Sequence, residues 1–115
     1  MSAATPAWRL PDHFRDFLDG GEDVLREILE MFLADVPAQR ARIAAAVAAG
    51  DALSLRREGH SLKGSCAQVG AEALASIVSH WENDPFDPAS AQALLPIFDA
   101  EFAHVEQSMR ASGVL

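Results

Sequence analysis

The stretch GHSLKGSCAQVGAEALASIVSHWE, residues 59–82, contains two amphipathic patterns that a single glycine, Gly70, separates. Apolar residues recur at the spacing of one helix face on each side of this glycine: Leu55, Leu62, Cys66 and Val69 before it, and Leu74, Ile77, Val78 and Trp81 after it. Glycine is common where a helix ends, and aspartate is favoured just before a helix begins. The pattern therefore predicts helices over residues 52–68 and 71–83, with Asp51 as the N-cap of the first.

Longer patterns of the same kind lie on both sides of these two helices. Residues 22–49 keep one apolar phase across Pro37, which favours a single kinked helix over two independent ones. Residues 89–111 carry a further apolar stripe, and residues 11–18 form a short helix that two glycines end. Four amphipathic helices with short connections predict an all-α fold, an antiparallel up-down four-helix bundle with the short helix over one end.

Length and composition are those of one compact domain. The chain has 115 residues, of which 50% are hydrophobic, and this is enough apolar material for a core in a chain of this size. We therefore expect a single domain over residues 10–115, preceded by a flexible arm over residues 1–9, with Trp8 and Leu10 marking where the arm begins to pack.

Charge and hydropathy argue against two classes of partner. A formal net charge of −8 repels nucleic acid and anionic membranes, so neither is expected to bind. No apolar run approaches the roughly 18 residues of a membrane span, and the start of the chain lacks the pattern of a secretory signal. We therefore expect a cytoplasmic protein.

His60 lies on the side of its predicted helix opposite the apolar stripe, together with Arg56, Lys63, Gly64 and Ala67. A glycine inside a helix costs about 1 kcal/mol relative to alanine, and packing gives no reason for one on an outward face. The missing side chain at Gly64 would leave room beside the imidazole, and Lys63 would supply a positive charge suited to a phosphoryl group. Near neutral pH a histidine keeps an unprotonated, nucleophilic nitrogen. The combination predicts a histidine that carries phosphate.

These residues resemble the motif of the histidine-containing phosphotransfer (HPt) domain. That motif runs His-x-Leu-Lys-Gly-Ser, then a later Gly-Ala, a following Leu, and a Leu-Glu near the end of the next helix. The matching residues are His60, Leu62, Lys63, Gly64, Ser65, Gly70, Ala71, Leu74 and Glu82. Two residues depart from the pattern, since Gly59 stands where alanine is usual and Trp81 where leucine is usual. Neither departure touches the phosphate chemistry.

The resemblance implies a place in a phosphorelay. His60 would accept a phosphoryl group on Nε2 from the aspartyl phosphate of a receiver domain and pass it to another receiver. Lys63 would offset the phosphoryl charge, and Glu82 would accept a hydrogen bond from Nδ1–H. The domain would have neither kinase nor phosphatase activity and no cofactor of its own, because the receiver supplies the aspartate and Mg²⁺. The family is often monomeric, so we expect a monomer.

A receiver that reaches His60 must cover the outward face of the histidine helix. The expected partner-binding residues are Arg56, Ser61, Lys63, Gly64, Ala67 and Gln68, with Phe14 and Phe17 of the short helix at the edge.

Other functions and sites remain as alternatives. The phosphoacceptor domain of a chemotaxis-type histidine kinase shares a similar His-Ser-Leu-Lys-Gly stretch, but the absence of a kinase core favours a free-standing protein. A helical adaptor without chemistry has no need for both His60 and Lys63. A metal site is not expected, because Glu101 and His104 form the only Glu-x-x-His pair, whereas di-iron bundles use two. Cys66 is expected to be a core residue.

Overall fold

The computed structural model describes residues 8–115, and all regular structure in that range is helical. A 3-10 helix (Asp12–Leu18) precedes four α-helices: α1 (Glu22–Ala49), α2 (Ala52–Gln68), α3 (Glu72–Asn83) and α4 (Pro88–Ala111). Each α-helix packs against the next, and α4 packs against α1. The connections between the α-helices are two to four residues long, and such short connections reverse the chain. The predicted all-α bundle is confirmed.

One core joins the four α-helices. Its largest fully buried side chains come from all of them and include Leu25, Leu29, Ile43, Leu62, Leu74, Trp81, Phe98 and Met109. Within residues 8–115, no helix combines the length and the apolar character that crossing a membrane requires.

Aspartates begin α2 and α4. Asp51 accepts hydrogen bonds from the amide and the hydroxyl of Ser54 at 3.1 and 2.7 Å, and Asp87 does the same with Ser90 at 3.0 and 2.6 Å. These bonds, led by the side-chain bond, hold the pKa of both carboxyl groups below the ordinary value, because they favour the ionised form. The N-cap predicted at Asp51 is confirmed. Helix α4 begins one residue earlier than predicted, because Pro88 suits a first helical turn.

The turns around α2 contain glycines in the left-handed conformation. Gly50 has a φ of +67° and Gly70 has a φ of +83°, values that residues with a side chain rarely adopt. At Gly70 there is also no room, because an added Cβ would lie 2.5 Å from Cγ of Pro11. The segment before the 3-10 helix therefore lies directly on the α2–α3 turn.

Pro37 lies inside α1 without dividing it. The proline is exposed, whereas Val36 beside it is fully buried. The apolar phase that continues across the proline is therefore the buried face of one continuous helix. The prediction of a single helix over residues 22–49 is confirmed.

Trp8, within the predicted arm of residues 1–9, is part of the packed domain. Its side chain is 4% exposed, and its indole nitrogen donates a hydrogen bond to the Val69 carbonyl at 2.6 Å. A buried indole N–H needs such an acceptor, while the ring itself contributes a large apolar surface. Packing therefore begins at Trp8, as expected, within the arm predicted over residues 1–9, and residues 1–7 lie outside the described residues.

Candidate functional site

His60 lies on the outward face of α2, and its side chain is 76% exposed. Its Nδ1 atom contacts Oε2 of Glu82, which is in the last turn of α3. A carboxylate only accepts hydrogen bonds, so in the neutral ring the proton lies on Nδ1 and Nε2 keeps its lone pair. The contact expected between these two residues is present, and the nitrogen that it leaves unprotonated is Nε2.

Glu82 also connects His60 to Lys63. Its second carboxylate oxygen, Oε1, forms an ion pair with Nζ of Lys63, and the Glu82 side chain is only 16% exposed. The interaction with Lys63, followed by the hydrogen bond from His60, holds the pKa of Glu82 below its ordinary value, because both contacts stabilise the ionised form. One carboxylate on α3 therefore binds the imidazole and the ammonium group that lie one turn apart on α2.

Acid unfolding should report these Glu82 contacts. Because the pKa of Glu82 is lowered in the folded chain, its stabilising effect is complete above its ordinary pKa of about 4.3. The effect is lost as the pH falls through the lower, folded value. When urea unfolding is measured at pH values from neutral into this acid range, the free energy of unfolding should fall less in Glu82→Gln than in the wild type. Asp51 and Asp87 also have lowered pKa values and lose their stabilising effect in acid. Both proteins contain these aspartates, so their contributions cancel in the comparison. Equal acid losses would contradict the prediction.

Gly64 lies one turn after His60 and has open space in place of a side chain. A Cβ added there would meet no heavy atom within 4 Å. Residues four apart on a helix are surface neighbours, with about 5–6 Å between their Cβ atoms. The open space predicted beside the imidazole is therefore present, and packing does not explain the glycine.

Two arginines without an ion pair lie one turn before His60. Most other lysines and arginines pair with carboxylates, as Arg42 does with Glu58 at 3.1 Å, but Arg56 and Arg57 form no ion pair with any of residues 8–115. Arg56 was predicted on this face from the sequence, whereas Arg57 was not, although residues three apart on a helix are also neighbours. On a chain with a net charge of −8, the surroundings of His60 are locally positive.

The residues predicted to meet a partner differ in exposure. The exposed ones are Arg56, Ser61, Gly64, Ala67 and Gln68, while Lys63 and Phe17 are half-buried. The prediction that Phe14 contacts the partner is wrong, because this residue is only 5% exposed and belongs to the core. Phe14 lies on the apolar face of the 3-10 helix, so its ring points inward, and the centroids of the Phe14 and Phe17 rings are 6.0 Å apart. His13 lies at the edge of the surface instead, with Nε2 3.0 Å from the carbonyl oxygen of Gln68.

The remaining reactive side chains lie apart from His60. Nδ1 of His104 and Oε1 of Glu101 are 4.0 Å apart, and the part of the chain from residue 8 onward contains no group of three histidine, cysteine or acidic side chains that could hold a metal ion. Cys66 is fully buried, and desolvation raises the pKa of its thiol to about 12. The thiol is therefore protonated at neutral pH, and the prediction of a core cysteine is confirmed.

The helix order and the cluster around His60 match one protein family. A family model described as the Hpt domain matches residues 27–110. This chain belongs to the Hpt domain family. The match begins within α1 and includes all of α2 and α3, so the Hpt region contains the three contacting residues His60, Lys63 and Glu82. No curated protein sequence matches the chain.

A solved structure agrees with the Hpt assignment. The crystal structure of histidine-containing phosphotransfer protein B (HptB) from Pseudomonas aeruginosa PAO1 is similar to this chain, with a TM-score of 0.74 and 27% sequence identity. The match covers 94% of this chain and 96% of the HptB chain. Together with the family match, it confirms the predicted function: the chain is a histidine phosphotransfer protein, a phosphocarrier of phosphorelays.

Proposed function

We propose that His60 is the phosphoacceptor of this Hpt domain. The observation that carries the proposal is the contact with Glu82, since it leaves Nε2 of an exposed imidazole with an available lone pair. Nε2 attacks the phosphorus atom of an aspartyl phosphate in a receiver domain. A P–N bond forms, the P–O bond to the aspartate breaks, and the aspartate leaves as a carboxylate. Transfer to a second receiver is the reverse step, in which the aspartate of that receiver attacks and the P–N bond breaks.

Lys63 and Glu82 compensate the charges that this step creates. A phosphoryl group carries up to about two negative charges near neutral pH, and Nζ of Lys63, one turn from His60, offsets them. Phosphorylation of Nε2 leaves the proton on Nδ1 and makes the ring positively charged. The Glu82 carboxylate on Nδ1 stabilises that charge.

The proposed step requires no cofactor from this chain. The receiver supplies the aspartate and the Mg²⁺ ion that offsets the phosphoryl charge. We assign the Hpt protein the role of a monomeric, cytoplasmic carrier without kinase or phosphatase activity. Its partners are the receiver domains of hybrid histidine kinases and of response regulators.

The receiver covers a surface that we call the α2 docking face, defined by Arg56, Ser61, Lys63, Gly64, Ala67 and Gln68. Two of its exposed residues, Gly64 and Ala67, are small, so the face offers little steric resistance beside His60. The unpaired guanidinium of Arg56 adds positive charge, which suits the acidic active site of a receiver. Small contact areas and steering by charge suit a transient complex.

Charge reversal at Arg56 should weaken receiver binding. We expect Arg56→Glu to raise the Kd about three- to tenfold at low salt, because the change turns attraction into repulsion at the edge of the interface. The difference should shrink at an ionic strength of about 0.5 M, where charges are screened over a few ångströms. Calorimetric titration with a cognate receiver at both salt concentrations measures the effect.

Arg110→Glu is the matched control for this titration. It makes the same change of charge on α4, whose backbone does not come close to that of α2, and Arg110 lies at the surface in a pair with Glu106 at 2.8 Å. Its Kd should stay close to that of the wild type. Equal weakening by both variants would indicate an effect of net charge and would contradict docking on α2.

Labelling by a phosphorylated receiver tests the proposed function. The label on this protein should be lost in acid and retained in base, the stability of a phosphohistidine. A phosphoaspartate is lost in base, and a phosphoserine survives acid. Peptide mass spectrometry should locate the label on residue 60. An adaptor without chemistry would bind the receiver and stay unlabelled, which would overturn the proposal.

A further inference from the structure

Leu53 is an exposed apolar side chain on the helix that carries His60. It lies in the first turn of α2 and is 59% exposed. The other large apolar side chains exposed within residues 8–115 lie on other elements: Leu18, Val24, Met31 and Ile97. A single exposed leucine is common on protein surfaces, so the meaning of Leu53 depends on its position relative to His60.

Leu53 points in nearly the same direction as His60. Seven residues separate the two, and at about 100° per residue the two turns between them leave an angle of only about 20°. The same outward line continues to Ala67, which is exposed, whereas Leu55 and Leu62 are buried in the core. Leu53 therefore extends the α2 docking face toward the N-terminus of α2.

A receiver centred on His60 also reaches Leu53. A rise of about 1.5 Å per residue puts the two residues about 10 Å apart along the helix axis. Transient complexes bury about 600 Å² on each partner, and a circular patch of that area has a radius of about 14 Å. A contact surface centred on the histidine therefore includes Leu53.

The two ends of the docking face differ in what they offer a partner. At the C-terminal end of α2, Phe14 of the 3-10 helix is buried and Phe17 is half-buried. At the N-terminal end Leu53 is exposed, and neither Arg56 nor Arg57 forms an ion pair with any described residue. An apolar side chain beside two free cations suits a partner surface that has an apolar residue next to carboxylates.

We propose that Leu53 is an apolar contact residue for the receiver domain, so that the interface extends from His60 toward the N-terminus of α2. An apolar side chain of the receiver packs on Leu53, and acidic side chains face Arg56 and Arg57. This inference rests on the proposed docking of a receiver on α2, and it adds the direction in which the interface extends. Contact at Leu53 slows dissociation of the complex, while the arginines mainly speed association.

Affinity at two salt concentrations tests the role of Leu53. The probe is an isolated receiver domain that binds the wild type in calorimetric titration. Leu53→Ala should raise the Kd about three- to tenfold, with faster dissociation in stopped-flow measurements. The increase should persist at an ionic strength of about 0.5 M, because salt screens charges and not apolar contacts. Leu53→Gln, which keeps the length of the side chain without its apolar character, should weaken binding as well.

Ile97 on α4 provides a matched control. It is an exposed aliphatic side chain, 53% exposed, on a helix whose backbone does not come close to that of α2. Ile97→Ala should keep the wild-type Kd. Circular dichroism should show that the Leu53 and Ile97 variants are folded, because substitutions of exposed side chains change stability little.

Three results would overturn the inference. These are an unchanged Kd in Leu53→Ala and Leu53→Gln, an equal increase in Ile97→Ala, or an increase that disappears at high salt. A wild-type protein that binds the receiver without taking label on His60 would instead refute the proposed function, while the comparison of Kd values would still decide the role of Leu53.

Discussion

Replacing His60 with glutamine should abolish phosphoryl transfer to this protein. Glutamine has a similar length but no nucleophilic ring nitrogen, so the P–N bond cannot form. The side chain is largely exposed, and its loss should leave the helical content unchanged. Incubation with a phosphorylated receiver, read by retention of label after base treatment, measures the result. A His60→Gln protein that still takes the label would show that the acceptor is another residue.

His80 provides a matched control for this experiment. It is a second exposed histidine whose Nδ1 contacts a carboxylate, at 2.9 Å from Oδ2 of Asp84. It has no lysine three residues later and no glycine four residues later. His80→Gln should therefore keep full labelling. Its failure to label would point to a general loss of receiver binding rather than to the loss of the acceptor.

Filling the open space at Gly64 should slow phosphotransfer strongly. We expect Gly64→Gln to lower the transfer rate about 10- to 100-fold, because a long side chain one turn from His60 prevents the receiver aspartate from reaching attack distance. Rapid-quench measurement of label moving from a phosphorylated receiver gives the rate. A Gly64→Gln protein with the normal rate would refute the idea that open space at this position serves the approach of the partner.

Stability separates this blocking effect from misfolding. Gly64 is helical and exposed, so Gly64→Ala should raise the free energy of unfolding by up to about 1 kcal/mol. Gly64→Gln should also be at least as stable as the wild type, since glutamine favours helices. If Gly64→Gln is as stable as the wild type but transfers phosphate more slowly, the defect lies in docking of the receiver.

Local signals made most of the fold predictable. Asp51 and Gly70 mark the limits of α2, and the helix occupies the predicted residues 52–68 because capping and left-handed turns depend on a few neighbouring residues. The apolar phase across Pro37 likewise predicted one helix. Phe14 was assigned incorrectly to the docking surface, because its burial depends on parts of the core that are far away in the sequence.

The site was predictable on one helix and less so between helices. The spacing of His60, Lys63 and Gly64 follows from the geometry of α2 alone. Glu82 was expected from the family motif, since nothing in the periodicity of α3 specifies its register against α2. That register depends on how α2 and α3 pack against each other, which only the three-dimensional structure defines.

The position of Trp8 has an optical consequence. The chain contains two tryptophans and no tyrosine, so its near-ultraviolet fluorescence comes mainly from Trp8 and Trp81. One indole lies on the turn that precedes α3, and the other lies in the last turn of the same helix. Replacing either one with phenylalanine leaves a single emitter at a known end of α3, so loosening at the two ends of this helix can be followed separately by emission wavelength.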